Sequence, residues 1–368
     1  MFARDSLLRA VLTLAVLGAT GVFAEDEVFH QSFEEGMDGI LTPTPATTSL
    51  SITNEEAQVF KGKAALKVAY PADIKDESQM PAVVIPGISG GFGGLALAVK
   101  AAQPTPLLCM AFEEDGSQYM AVASVPGGQW IELWYDRADF AKDKDKPDGN
   151  DRLDPEQVRS VVVCDLTFFL ANMVPGATAP GVGERSLVID EITIPREPRR
   201  KPVLVDGGLL IDGFSEPYAR AVLAGVGTLG IEPREVGEND DGALLAKYAI
   251  SQTTPMAGVL RPLPHNWEKP PTGIRFDAKV DFVSTIVASV EEADGSSYLR
   301  MLEPSPTAEW QTFEIPFGDF ALSDDSQDEN RRLDVDQVTH IMFGDAGGMM
   351  QRYGVNGLWL DNLVLLSE

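Results

Sequence analysis

The chain has 368 residues, 44% of them hydrophobic, which is enough for two domains with full cores and argues against a disordered protein. Its formal net charge of −27 disfavours nucleic acid and anionic lipid as partners, because both are bound through cationic side chains. The same charge suits neutral ligands, divalent cations or plain solubility.

Arg4 and Arg9 precede an apolar run from Ala10 to Gly21, and Val22-Phe23-Ala24 follows it. A positive start, a short apolar stretch and small residues at the end predict a secretory signal peptide over residues 1–24, cleaved before Glu25. The run is shorter than the ~20 residues of a membrane span, and no later stretch is apolar enough, so no membrane span is expected. The processed chain is expected to be extracytoplasmic: periplasmic, at the cell surface or secreted.

Beyond the leader, short apolar or alternating runs predict strands at Ala64 to Tyr70, Leu95 to Ala101, Leu107 to Phe112, Tyr119 to Val125, Trp130 to Tyr135, Val158 to Cys164 and Leu187 to Ile194. Cys109 and Cys164 both fall in these strands. A disulfide and two buried thiols are equally consistent with that placement. Pro195-Arg196-Glu197-Pro198-Arg199-Arg200-Lys201-Pro202 then reads as a stiff, basic linker. It is expected to rest against an acidic domain, with a docking patch as the alternative. The strand pattern resumes at Leu244 to Ile250, Ile274 to Val280, Thr285 to Val290, Tyr298 to Leu302, Trp310 to Ile315, Val338 to Phe343 and Leu358 to Leu366. Helical periodicity is absent after the leader apart from one turn near Glu216 to Leu223. The expected domains are 25–195 and 203–368, with the linker at 196–202.

The two halves repeat each other. Asp115-Gly116-Ser117-Gln118-Tyr119 recurs as Asp294-Gly295-Ser296-Ser297-Tyr298, and Trp130 with Asp139-Phe140-Ala141 recurs as Trp310 with Asp319-Phe320-Ala321. Leu153-Asp154 with Gln157-Val158 matches Leu333-Asp334 with Gln337-Val338, and Asp190 matches Asp361. The offset is 179 to 180 residues up to Asp345 and 171 at the end, so the first copy carries nine extra residues between Asp165 and Asp190, in the Phe168 to Glu184 loop. Each copy is therefore expected to be an all-β sandwich.

Each copy also opens into Phe33-Glu34-Glu35-Gly36 or Asp212-Gly213-Phe214-Ser215-Glu216, passes through a Trp-led strand to Asp-Phe, and closes on an Asp-containing strand. This order, clearest in Trp310 to Phe320, resembles the galactose-binding-domain-like jelly rolls, in particular family-eleven carbohydrate-binding modules and the complex I intermediate-associated protein family. The resemblance implies two tandem jelly-roll β-sandwich domains and a polysaccharide or glycan as partner. It also implies a structural calcium ion where the first strand meets the last. The positions that match are Glu34 or Glu35 with Asp190, and Asp212 or Glu216 with Asp361. Oxygen-only donors are what calcium requires. Hydrogen bonding of Asp190 and Asp361 to strand-end amides is the competing account.

A sugar site needs an aromatic plate flanked by donors and acceptors. Trp134, Tyr135, Tyr119, Trp267 and Tyr298 are the ligand-binding candidates, whereas Trp130 and Trp310 read as core anchors. The acidic loops Asp143 to Asp151 and Asp324 to Asn330 read as solvated hairpins, since neither keeps an EF-hand spacing. No serine elbow, zinc motif, phosphate loop or dinucleotide fingerprint occurs, and Asp190-Glu191 becomes Asp361-Asn362 in the other copy. The expectation is an exported, non-catalytic carbohydrate-binding protein. Its alternatives are a structural or adhesive protein contacting envelope proteins and, third, a glycoside hydrolase.

Overall fold

The computed structural model describes residues 27–367 apart from 75, 144, 145, 147, 151, 174–182, 235–241, 264–266, 268 and 304. The expected signal peptide lies outside the described residues. The chain divides into two compact units, with Arg200 in the first and Lys201 in the second. Each is a two-sheet β-sandwich of the jelly-roll class.

The first unit contains β1 (Glu27–Gln31), β2 (Ser49–Thr53), β3 (Ala65–Pro71), β4 (Ala82–Pro86), β5 (Gly94–Ala101), β6 (Thr105–Glu113), β7 (Gln118–Val125), β8 (Trp130–Asp136), β9 (Ala141–Lys142), β10 (Val158–Asp165) and β11 (Glu184–Pro195). One sheet runs β2-β3-β11-β5-β8 with β1 also on β11, and the other runs β4-β10-β6-β7-β9. The second unit adds β12 (Val203–Val205), β13 (Gly208–Asp212), β14 (Val222–Ala224), β15 (Val226–Pro233), β16 (Gly242–Ile250), β17 (Ala257–Pro262), β18 (Gly273–Val280), β19 (Ile286–Glu292), β20 (Ser297–Met301), β21 (Gln311–Pro316), β22 (Ala321–Leu322), β23 (Val338–Asp345) and β24 (Gly354–Leu366). Its sheets run β15-β16-β24-β18-β21 with β13 on β24, and β17-β23-β19-β20-β22 with β14 on β17. The strand order of the first unit thus recurs in the second.

Alternation along each strand puts one face into the core. In β8, Ile131, Leu133 and Tyr135 point inward and are buried, while Trp130, Glu132 and Trp134 share the outer face. Tyr135 meets Phe140 edge-on at 6.0 Å, and Phe92 meets Phe140 at 5.3 Å. In the second core Phe276 lies between Phe343, edge-on at 4.5 Å, and Phe313, stacked at 5.6 Å. Each such side chain contributes roughly 1.5–3 kcal/mol through burial.

Both units bury an aspartate at the end of a core strand. Asp165 accepts from the Tyr70 hydroxyl at 2.7 Å and pairs with Arg185 at 3.2 Å. Asp345 accepts from Tyr248 at 2.8 Å, Ser284 at 2.6 Å and Asn356 at 3.1 Å. The Thr167 amide also donates to Asp165, at 2.7 Å, and starts a seven-residue helix, α1 (Thr167–Met173). No helix was expected in this extra loop, because two turns are too short to register as a periodic pattern. Residues 222–224 form β14, so the turn expected near Glu216 to Leu223 is partly strand. Among the described residues, no helix is long and apolar enough to cross a membrane.

The cysteines are free and buried. Cys109 lies opposite Val163, whereas Cys164 lies opposite Leu108, one step along the same strand. Successive side chains leave opposite faces of a sheet, so the two thiols point away from each other and a disulfide is excluded. Burial pushes the Cys164 thiol up to about 12 and raises that of Cys109 as well.

An aromatic disulfide reagent at pH 8 is therefore expected to leave the folded chain unlabelled and to titrate both thiols after denaturation. Asp165→Ala strands the buried Arg185 guanidinium without its carboxylate. It should cost about 3–5 kcal/mol of first-unit stability in urea unfolding.

Candidate functional site

The outer face of the β15-β16-β24-β18-β21 sheet gathers aromatic and polar side chains. Trp359 on β24 lies directly across from Lys279 on β18, and the Lys279 ammonium sits 4.7 Å from the Trp359 ring and 5.2 Å from the Trp310 ring. The Arg234 guanidinium covers Trp310 at 4.4 Å. Beside this row, Asp277 accepts from the Thr312 hydroxyl at 2.6 Å, Arg234 at 2.9 Å and Asn362 at 2.9 Å. Burial works to raise Asp277, but those three donors outweigh it and hold the carboxyl below its usual range. Three adjacent strands place this group over ~10 Å of sheet.

Gly357 shapes the face. A Cβ there would stand 2.9 Å from the Trp359 ring and 2.7 Å from Asp281 Oδ2, so glycine leaves the indole room to lie along its own strand. The first unit keeps a related face: Trp130 across from Lys100, Glu132, and then Trp134. Phe60 packs on Trp130 at 5.5 Å. The Trp134 indole N–H donates to Asp136 at 3.1 Å, and Arg199 covers its ring at 4.8 Å.

Trp134 thus lies on an outer face, as expected of a ligand-contacting residue. Tyr135 does not: it is wholly buried and has no face to offer. Tyr119 and Tyr298 are buried too, with hydroxyls that donate to Asp148 and Asp328. Their place is at the ends of the sandwiches rather than on a platform. Trp267 is half-buried against the second core, and His265 beside it lies outside the described residues. Trp130 and Trp310 correct the core-anchor expectation. Their parity in the strand is shared with Glu132 and with Thr312 and Glu314, none of which suits a core. That signal was present in the sequence.

The first-to-last-strand junctions do not fit a calcium ion. Glu34 Oε1 accepts from the Lys63 and Ala64 amides at 2.7 and 3.0 Å, and Glu35 is exposed. Asp190 accepts from the Phe60, Lys61 and Glu191 amides at 3.1, 3.1 and 2.8 Å. In the second unit guanidinium groups take the place proposed for the ion: Arg234 pairs with Asp361, Arg261 lies 3.5 Å from Asp212, and Arg220 lies 3.9 Å from Glu216. A cation from the chain's own arginines is a poor neighbour for a metal.

Carboxylates converge elsewhere. Glu113, Asp115 and Asp148 form one group able to hold a metal ion, and Glu292, Asp294 and Asp328 form another; in each group, one oxygen per residue lies within 4.8 Å of the others. Burial first, and then the neighbouring aspartates, pushes the Glu113 and Glu292 carboxyls up to about 7, against the pull of the Asp154 and Asp334 amides.

No protein-family model and no curated protein matches the chain. Among solved structures, it is similar to the family 11 carbohydrate-binding module of the cellulosomal cellulase Lic26A-Cel5E of Clostridium thermocellum, at 19% identity over 44% of this chain and 95% of that one, with a TM-score of 0.35. A tandem of two family 22 modules from Paenibacillus barcinonensis Xyn10C aligns over 95% of this chain and 100% of its own, at 14% identity and a TM-score of 0.30. These values are too low to carry ligand or activity across.

Gly357→Ala should force the Trp359 indole off the sheet. The expected result is a loss of about 1–3 kcal/mol in urea unfolding, with a red shift in tryptophan emission.

Proposed function

We propose that the chain is an exported, non-catalytic carbohydrate-binding protein whose main contact surface is the outer sheet face bearing Trp310 and Trp359. The observation that carries this reading is the row Trp310, Lys279, Trp359, with Arg234, Asp277, Thr312 and Asn362 beside it. Indole faces suit the apolar side of a pyranose, and the adjacent ammonium, guanidinium, carboxylate, hydroxyl and amide suit its hydroxyl groups. The partner is a polysaccharide, bound as a neutral or anionic chain that Lys279 and Arg234 tolerate. Trp134 offers a second contact in the first unit, and engagement of one glycan chain by both units would add avidity.

A second reading, an adhesive or structural protein that contacts envelope proteins, is favoured by one observation. Phe282, Val283, Met349, Met350, Tyr353 and Val355 are all exposed, on the loop after β18 and on the segment that leads into the start of β24. Asn356 ties the two together by bonding both backbone groups of Phe282, at 3.0 Å each. Apolar groups collected in this way mark contact surfaces for proteins as well as for ligands.

Affinity electrophoresis of the full chain against a panel of soluble polysaccharides tests the choice. Retention is expected on at least one, weakened about tenfold or more by Trp310→Ala and by Trp359→Ala, with no release of reducing ends. A tenfold loss corresponds to about 1.4 kcal/mol. A folded chain retained on none of them would leave the adhesive reading standing, and cleavage of a retained glycan would make the protein a hydrolase.

A further inference from the structure

The two carboxylate groups repeat at equivalent positions. Glu113 ends β6 and Asp115 follows in the hairpin to β7, while Glu292 ends β19 and Asp294 follows in the hairpin to β20. The third member of each comes from a distant loop, Asp148 or Asp328. Around them the same supports recur. Asn150 and Asn330 donate to Asp154 and Asp334 at 3.0 and 2.8 Å, and the Asp154 and Asp334 amides donate to Glu113 and Glu292. The Tyr119 and Tyr298 hydroxyls hold Asp148 and Asp328.

The glutamates make these groups more than acidic surface. Glu113 is 5% exposed and Glu292 2% exposed, yet no lysine or arginine among the described residues pairs with any member of either group. One oxygen of Glu113, Oε2, is buried and accepts no hydrogen bond. A buried, unsatisfied carboxylate oxygen beside two further carboxylates is costly by itself, and a bound cation would relieve the cost.

We infer that each cluster is a binding site for a divalent cation of the calcium type. Glu113, Asp115 and Asp148 supply the protein carboxylates in the first unit, and Glu292, Asp294 and Asp328 supply them in the second. All donors are hard oxygens, with no histidine or cysteine among them. Each ion ties the β6–β7 or β19–β20 hairpin to the long loop ahead of β10 or β23. Its role is a cross-link at the end of the sandwich, separate from the tryptophan face, and it holds whether or not a glycan binds there.

Calorimetric titration of the chelator-stripped full chain with calcium chloride tests the assignment. Two equivalents are expected to bind, with Kd on the order of 10⁻⁴ M, as in extracellular modules. Saturating calcium should raise Tm by about 5 °C or more. Glu113→Gln and Glu292→Gln should each remove one equivalent, and the double variant should lose both equivalents and the Tm rise. In chelator the double variant should melt no lower than the parent, because it has lost buried charge. Should the glutamine variants fail to fold, the exposed pair Asp115→Asn and Asp294→Asn serves the same purpose and should bind calcium at least tenfold more weakly. No heat and no Tm change in the stripped parent, or two equivalents still bound by the folded double variants, would overturn the inference.

Discussion

In each unit the long closing strand must bond two different partners along one edge. β11 pairs first with β3 and then with β1, while β5 runs along its other edge. β24 does the same with β16, β13 and β18. The change of partner falls at an aspartate, Asp190 or Asp361, and the next residue adopts a left-handed backbone, with φ of 49° at Glu191 and 50° at Asn362. Such a conformation is unfavourable for a residue other than glycine. Here the aspartate carboxylate accepts the amide of that same residue, at 2.8 Å in the first unit and 2.7 Å in the second, and so holds the turn. Without this break the opening strand would have no edge to join.

The same pivot is completed in two ways. In the first unit Asp190 receives the amides of Phe60 and Lys61, and Phe60 then packs on Trp130. In the second, Arg234 fills that role and spreads over Trp310, bridging Asp361 and Asp277. One blueprint therefore yields an aromatic face with an apolar neighbour in the first unit and a charged one in the second. The two faces therefore differ in charge although their strands correspond.

A second divergence concerns the segment after the first unit. Asp136, where the second copy has Pro316, accepts from the Arg199 and Arg200 amides at 2.7 and 3.2 Å and pairs with the Arg200 side chain at 3.4 Å. The proline-rich segment thus lies on the first unit as far as Arg200, and its expected extended form is compatible with that course. Asp136 also holds the Trp134 indole, so one substitution between the copies both anchors the linker and places Arg199 on the aromatic ring.

Strands with a clear period-two pattern were legible in the sequence, and every one of the fourteen expected runs lies in or overlaps one, whereas β4 and β17 fill the cores with Val83, Ile85 and Val259 and yet were not expected. Short edge strands such as β9, β12 and β22 were not, since two or three residues cannot show alternation. The repeated spacings in the sequence also pointed to which residues correspond, and the carboxylates found together occupy equivalent places in the recurring strand order. Which face a tryptophan takes is a matter of parity, and Glu132 between Trp130 and Trp134 could have settled it. Three things only the folded chain decided: that Cys109 and Cys164 face apart, that Arg234 and Arg261 occupy the second unit's junction where calcium was expected, and that Asp148 and Asp328 meet Glu113 and Glu292. Each depends on bringing segments some thirty or more residues apart into register, and a local pattern holds no record of such distances.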